Sequence, residues 1–243
     1  MKDNKYKSSI PKGCIERDII DKKPDLKDLP EHVAYIASCS QKALIYKGEM
    51  VGIRVYSGDK VLLRETPLKV GKKHGTEYTF YDSGQLELAE PYADGEIHGT
   101  AYQYSETGRL MGTYKMEHGT GYDIWRHVSM EEDASPDDFY VSEVHSMKDG
   151  LPHGYEWWLN EDKTIYVEIC SYMGKYHGIT REWNFNGKLR RGYPKYYVHN
   201  KKVDKRIYIK AYKTDSSLPE FKKEDNLPIR NFPPEIKKIL ITK

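Results

Sequence analysis

The chain has 243 residues, a formal net charge of +2, only 38% hydrophobic residues and a mean hydropathy of −0.80. No run of 18 apolar residues occurs, so no transmembrane helix is expected, and the start Met1-Lys2-Asp3-Asn4-Lys5 leads into no apolar stretch of a secretory leader. Cys14, Cys39 and Cys170 are odd in number and never form Cys-x-x-Cys, which fits a reduced, cytoplasmic setting.

Residues 1–45 read as an N-terminal cap broken by Lys23-Pro24 and Leu29-Pro30, with a brief helix or a strand expected over Asp28 to Ala37. From about residue 46 to 194 a pentapeptide, Gly-x-x-His-Gly, recurs. It stands at Gly71 to Gly75 with His74, Gly95 to Gly99 with His98, Gly150 to Gly154 with His153, and Gly174 to Gly178 with His177. Gly48 to Gly52 is a copy with Val51 for His, and His118-Gly119 reads as a copy that has lost its first Gly to Lys115. Second glycines are spaced by 99 − 75 = 24 and 178 − 154 = 24 residues, a period that marks a repeat array.

Counted from the second Gly, place +3 holds Val55, Tyr78, Tyr102, Tyr122 and Trp157, and place +5 holds Phe80, Tyr104, Ile124, Leu159 and Trp183. Period 2 puts both columns on one strand face. Gly84, Gly108 and Gly187 at place +9 supply the positive φ of a hairpin turn, and Leu63, Leu86, Leu110, Ile165 and Leu189 at +11 sit on the return strand. The expected fold is mainly β: an elongated, twisted antiparallel meander of hairpin repeats with short helical caps and glycines at places 0 and +9 in turns. The copy after Gly178 departs at +3, where Arg181 stands.

The stretch Gly71-Lys-Lys-His-Gly-Thr-Glu-Tyr-Thr-Phe-Tyr-Asp-Ser-Gly-Gln-Leu resembles the variant MORN repeat of bacterial proteins. The resemblance spans roughly Tyr46 to Tyr193. It implies a β-hairpin array and, through the many such proteins in toxin–antitoxin pairs, an antitoxin- or immunity-type role. For other members the name implies a membrane-surface scaffold.

From Gly119 to the next His-Gly the spacing is 154 − 119 = 35, which reads as an insertion of 35 − 24 = 11 residues inside 127–149. Glu131, Glu132, Asp133, Asp137 and Asp138 crowd there. Insertions in arrays map to one face, often the binding one. Residues 195–243 form a basic cap and tail. Asp204 suits the cap of a helix from Lys205 to about Lys213, with Ile207, Tyr208, Ala211 and Tyr212 on one face, and Pro234 suits the first turn of a last helix.

The histidines are expected to hydrogen-bond local backbone along one edge of the sheet rather than share a metal. Walker, Gly-x-Ser-x-Gly and His-Glu-x-x-His motifs are absent, so no catalytic residues, cofactor or small-molecule substrate are expected. An enzyme with a site of scattered residues is the rival reading. Cys170 is expected to pack as a small hydrophobe.

From Glu77 to Val144, 15 acidic residues face 3 basic ones; from Lys188 to Lys213, 10 basic residues face one Asp. The acidic part suits a basic protein partner, with Trp158, off the +3 and +5 columns, as an anchor. Lys201, Lys202, Lys205, Arg206 and Lys210 suit an anionic membrane or nucleic acid.

Overall fold

The computed structural model describes residues 6–19 and 39–241. The helix or strand expected over 28–37 lies outside them. The described residues are mainly β, and the chain divides into two compact units, Met1–Thr113 and Tyr114–Lys243.

Unit 1 is a meander of β1 (Ile15–Asp18), β2 (Ser40–Tyr46), β3 (Glu49–Tyr56), β4 (Leu62–Lys69), β5 (Lys72–Lys73), β6 (Gly75–Phe80), β7 (Leu86–Ala93), β8 (Glu96–Ile97) and β9 (Gly99–Tyr104). Its neighbours pair antiparallel, from β1 with β2 through β7 with β8 and β9. The division falls within β10 (Leu110–Glu117). Unit 2 continues with β11 (Thr120–Val128), β12 (Phe139–Lys148), β13 (Leu151–Leu159), β14 (Ile165–Tyr172), β15 (Lys175–Tyr176), β16 (Gly178–Glu182), β17 (Lys195–Val198) and β18 (Lys201–Val203). Helix α1 (Lys205–Tyr212), a 3-10 turn (Glu224–Asn226) and α2 (Pro234–Ile241) follow.

The pentapeptide makes two devices. Its first Gly and the residue before it both take positive φ, as at Asp94 (53°) and Gly95 (103°) or Met173 (47°) and Gly174 (74°). That pair is the tight turn that matches strand twist. The second Gly, expected in a turn, instead lies inside β3 at Gly52 and inside β13 at Gly154, and in the copies of Gly75, Gly99 and Gly178 it opens a strand just after a kink at His. There His98 N donates to Pro91 O at 2.8 Å and His177 N to Cys170 O at 3.0 Å. The accepting residue also lies across the second Gly. A Cβ on Gly99 would stand 2.9 Å from Pro91 Cγ, and one on Gly178 2.6 Å from Cys170 Sγ. Glycine is required because the neighbouring strand passes too close for any side chain.

Two copies are out of the expected register: in the first, that of Gly52, Arg54 rather than Val55 stands in the row of Glu65 and Tyr78, and in the other the turn itself is displaced. His118 (φ 46°) and Gly119 (φ 68°) form the turn pair, so Gly119 is a first Gly and not a second. Gly121 (φ 147°) takes place 0, since its Cβ would meet Lys115 O at 2.8 Å. Ile124, which pairs with Val144 as Trp157 does, then holds +3, and Arg126 holds +5, displacing Tyr122 and Ile124 from those places. Measured turn to turn, Gly95 to Gly119 is 24 residues and Gly119 to Gly150 is 31, so the insertion is 31 − 24 = 7 residues rather than 11.

Within each unit the +3 and +5 residues from Tyr78 onward line one face, but Val55 does not join them, because Arg54 pairs with Glu65 and Glu65 with Tyr78. Tyr78, Phe80, Tyr104, Trp157, Leu159 and Trp183 are buried, whereas Tyr102 is 42% exposed. In unit 1 the segment from Tyr6 covers this face: Tyr6 packs edge-on to Tyr78 and Phe80, and Tyr78 Oη donates to Lys7 O at 3.0 Å. In unit 2 the C-terminal segment does so, with Phe232 edge-on to Trp157 and Trp183 Nε1 donating to Asn226 O.

Helix α1 starts where expected: Asp204 accepts from Ile207 N at 2.9 Å. Tyr208 is buried on it, but Ile207 is 50% exposed, because one residue along a helix turns the side chain by roughly 100°.

Candidate interaction face

The column opposite place +3 of the next copy runs Glu65, Ala89, Val144 and Glu168, facing Tyr78, Tyr102, Trp157 and Arg181. Two copies thus place a carboxylate where others place a small apolar group. Glu168 and Arg181 are both buried, with Arg181 Nη1 2.6 Å from Glu168 Oε1. Arg230 of the C-terminal segment donates Nε to Oε2 at 2.7 Å and Nη2 to Oε1 at 2.8 Å, and Trp157 Nε1 donates to Oε2 at 3.0 Å. The carboxylate is saturated by four donors, which is what makes its burial tolerable. This cluster holds the terminal segment down and leaves no oxygen for a ligand. In Arg181 the sequence showed a departure from pattern, but its partners were not apparent.

Around the last complete pentapeptide, His177, His199, Asp215 and Ser217 gather. His177 Nε2 lies 2.9 Å from Ser217 Oγ and 3.5 Å from Asp215 Oδ2, and His199 Nε2 lies 3.5 Å from the same oxygen. The set has the composition of a metal site, and of a Ser–His–Asp triad. One hydrogen bond argues against both. His199 N donates to His177 Nδ1 at 3.0 Å, so in the neutral ring Nε2 carries the proton. It then offers no lone pair to a cation and donates to Ser217 instead of accepting from it. Ser217 Oγ in turn donates to Asp215. Burial lowers the His177 pKa, the charge of His199 adds to that, and Asp215 opposes it.

The other repeat histidines divide. His74 Nδ1 accepts from Asp94 N at 3.4 Å, the same relation to the next turn that His177 has to His199. His153 departs from the expected backbone hydrogen bond. It lies inside the unbroken strand β13, where its ring packs on Tyr172 and its buried Nδ1 has no partner among the described residues. Cys170 is buried as expected, and burial pushes its thiol up to about 12.

The opposite face of unit 2 is built by the same alternation. If Val144 and Trp157 point to the covered face, then Glu143, His145, Glu156 and Trp158 point away. Pairing brings Trp125 to Glu143 and Glu143 to Trp158, and in the next row Asp123 to His145 and His145 to Glu156. His145 Nε2 lies 2.8 Å from Glu143 Oε2, and Nδ1 3.3 Å from Glu156 Oε2. Ser171 Oγ donates to Glu156 Oε1 at 3.1 Å. Burial works against charge on the His145 ring, but its bonds to Glu156 and Glu143 and the charge of Asp123 outweigh it, and its pKa is raised. Burial raises the Asp123 carboxyl, partly offset by hydrogen bonds from Trp125 and Tyr114. Trp158 is half-buried, edge-on to Tyr166 at 6.0 Å. The sequence singled out Trp158 on this face, but His145 and its carboxylates were legible only as alternate residues of two strands.

The insertion is closed on itself by Ser129 N to Asp138 O at 2.7 Å, and tied to the sheet by Ser129 Oγ to Glu161 at 3.0 Å. The Asp138 carboxylate accepts from Ser135 N at 2.9 Å within the loop, and Asp138 is exposed like Glu131, Glu132 and Asp133, whereas Asp137 is half-buried. Lys201, Lys202, Lys205, Arg206 and Lys210 are all exposed on β18 and α1. Among the described residues no helix is long and apolar enough to cross a membrane. No protein-family model matches the sequence, and no curated protein or solved structure matches it either.

Proposed function

We propose that this chain is a non-enzymatic, MORN-type repeat module that binds another protein, in the manner of a bacterial antitoxin or immunity partner acting in the cytoplasm. One observation carries the reading. In unit 2 the chain's own C-terminal segment covers one sheet face, while the other presents half-buried Trp158, Trp125 and Tyr166 among carboxylates. Aromatics beside desolvated acids are what an interface for a basic protein needs: anchors slow dissociation and charges speed encounter. The exposed Glu131, Glu132 and Asp133 extend the field in which that partner arrives.

The test is co-expression with the product of the adjacent gene. The intact chain is expected to relieve that product's toxicity and to co-purify with it. Trp158→Ala should speed dissociation, and Lys at positions 131, 132 and 133 should slow association and flatten its salt dependence. Relief and binding that survive both changes would overturn the reading. The exposed basic side chains around α1 favour a second role on anionic membrane, which flotation with phosphatidylserine vesicles tests.

A further inference from the structure

We infer that the open face of unit 2 is a receptor for one arginine side chain of a protein partner, held by Glu143 and Glu156 beside the indole of Trp158, and that His145 stands in for that cation when the partner is absent. The inference rests on the protein-binding reading and names the chemistry of its central contact.

Both ring nitrogens of His145 face carboxylates, Nε2 toward Glu143 on its own strand and Nδ1 toward Glu156 on β13. A ring so bracketed is satisfied fully only as an imidazolium that donates on both sides. Asp123 faces it from β11, so three carboxylates surround one ring: with the ring neutral the local charge is −3, and one cation, the ring proton or an arginine in its place, brings it to 1 − 3 = −2. The side chains of Glu143, His145 and Glu156 are only 29%, 17% and 16% exposed. Uncompensated charge at that depth is costly, and an external cation relieves the cost. Burial is the main cause of the raised Asp123 pKa, and the charge of Glu143 adds to it.

Arginine fits better than lysine on shape. A guanidinium is a planar fork that binds carboxylates through two bonds at once and stacks on an indole, whereas an ammonium is a point charge that holds its water. Trp158 pairs directly across from Glu143 and is braced by Tyr166, so an aromatic surface adjoins the carboxylate. A guanidinium entering between Glu143 and Glu156 takes the acceptors His145 now uses. Arginine and the ring proton therefore compete.

The test uses the whole chain and N-acetyl-arginine amide as probe, with the lysine and citrulline amides as controls. The ring titration of His145 is followed by NMR and assigned with H145Q. The arginine probe is expected to move the midpoint to lower pH, the lysine probe less, and neutral citrulline not at all. E156Q should weaken the arginine effect about tenfold. An unmoved midpoint, or an equal shift with citrulline, would overturn the receptor, and a lysine probe as effective as arginine would overturn the choice of side chain. The three-probe comparison on the unaltered chain stands even if E156Q does not fold. If Trp158→Ala abolishes partner binding while no probe shifts His145, the receptor fails and the binding module survives.

Discussion

The two units solve one problem with unequal strength. Each is a meander whose aromatic columns need a cover, and each takes it from a terminal segment that also reaches a buried carboxylate. In unit 1, Glu65 accepts at one oxygen from Tyr6 Oη at 2.8 Å and from Arg54 Nε at 2.9 Å, while its buried Oε1 has no partner among the described residues. In unit 2, Glu168 is saturated at both oxygens, by Arg230 of the covering segment together with Arg181 and Trp157. Depth of burial is the same; the number of donors is not. A phenol gives one hydrogen bond and no charge, whereas a guanidinium gives two and neutralises the acid. The C-terminal cover is thus the firmer of the two.

The sharpest way to break this comparison is to remove the reaching residue on each side. Arg230→Ala strips charge and two donors from buried Glu168, and should cost about 3–5 kcal/mol in urea unfolding followed by tryptophan fluorescence. All four tryptophans, Trp125, Trp157, Trp158 and Trp183, lie in unit 2, so that signal reports on it alone. Tyr6→Phe removes one bond to a charged acceptor and should cost about 1.5–3 kcal/mol by circular dichroism. A larger loss at Tyr6 than at Arg230 would reverse the ranking.

A second comparison concerns how closely the covers sit. A Cβ on Gly52 would meet Ile10 Cδ1 at 2.5 Å and Thr66 O at 3.0 Å, so Gly52→Ala presses directly on the N-terminal cover. It should destabilise by about 1–3 kcal/mol. Adding Ile10→Ala should cost less than the two single changes summed, since the overlap is then gone. Strict additivity in that cycle would show that the cover does not seat on Gly52.

The smallest effects are in pH, where two histidines of unit 2 pull in opposite directions. His177 has a folded pKa below its ordinary 6.5, so its contribution is present above that value and is lost as pH falls. His145 has a folded pKa above 6.5, so its contribution is present below that value and is lost as pH rises through the raised one. In stability measured against pH, His177→Gln should flatten the acid limb and His145→Gln the limb above neutrality. A wild-type curve whose acid limb is untouched by His177→Gln would remove the buried-histidine argument.

The amino-acid sequence by itself determined the local units. Paired turn glycines, period-2 aromatics and the cap at Asp204 act over a few residues, so their spacing specifies hairpins and a helix start without reference to anything distant. It did not determine where each glycine acts. The turn role of His118-Gly119 follows from which strand lies alongside, and the place-0 glycines are required by a neighbour's side chain. Nor did it reveal that Arg181 answers Glu168 and Arg230, or that Asp123, His145 and Glu156 share a row on one face. Those contacts join residues whose register across strands depends on bulges and kinks in the intervening chain. A one-residue slip there would send every side chain to the other face. The tertiary structure decided them because only the packed sheet fixes which residue of one strand stands opposite which residue of the next.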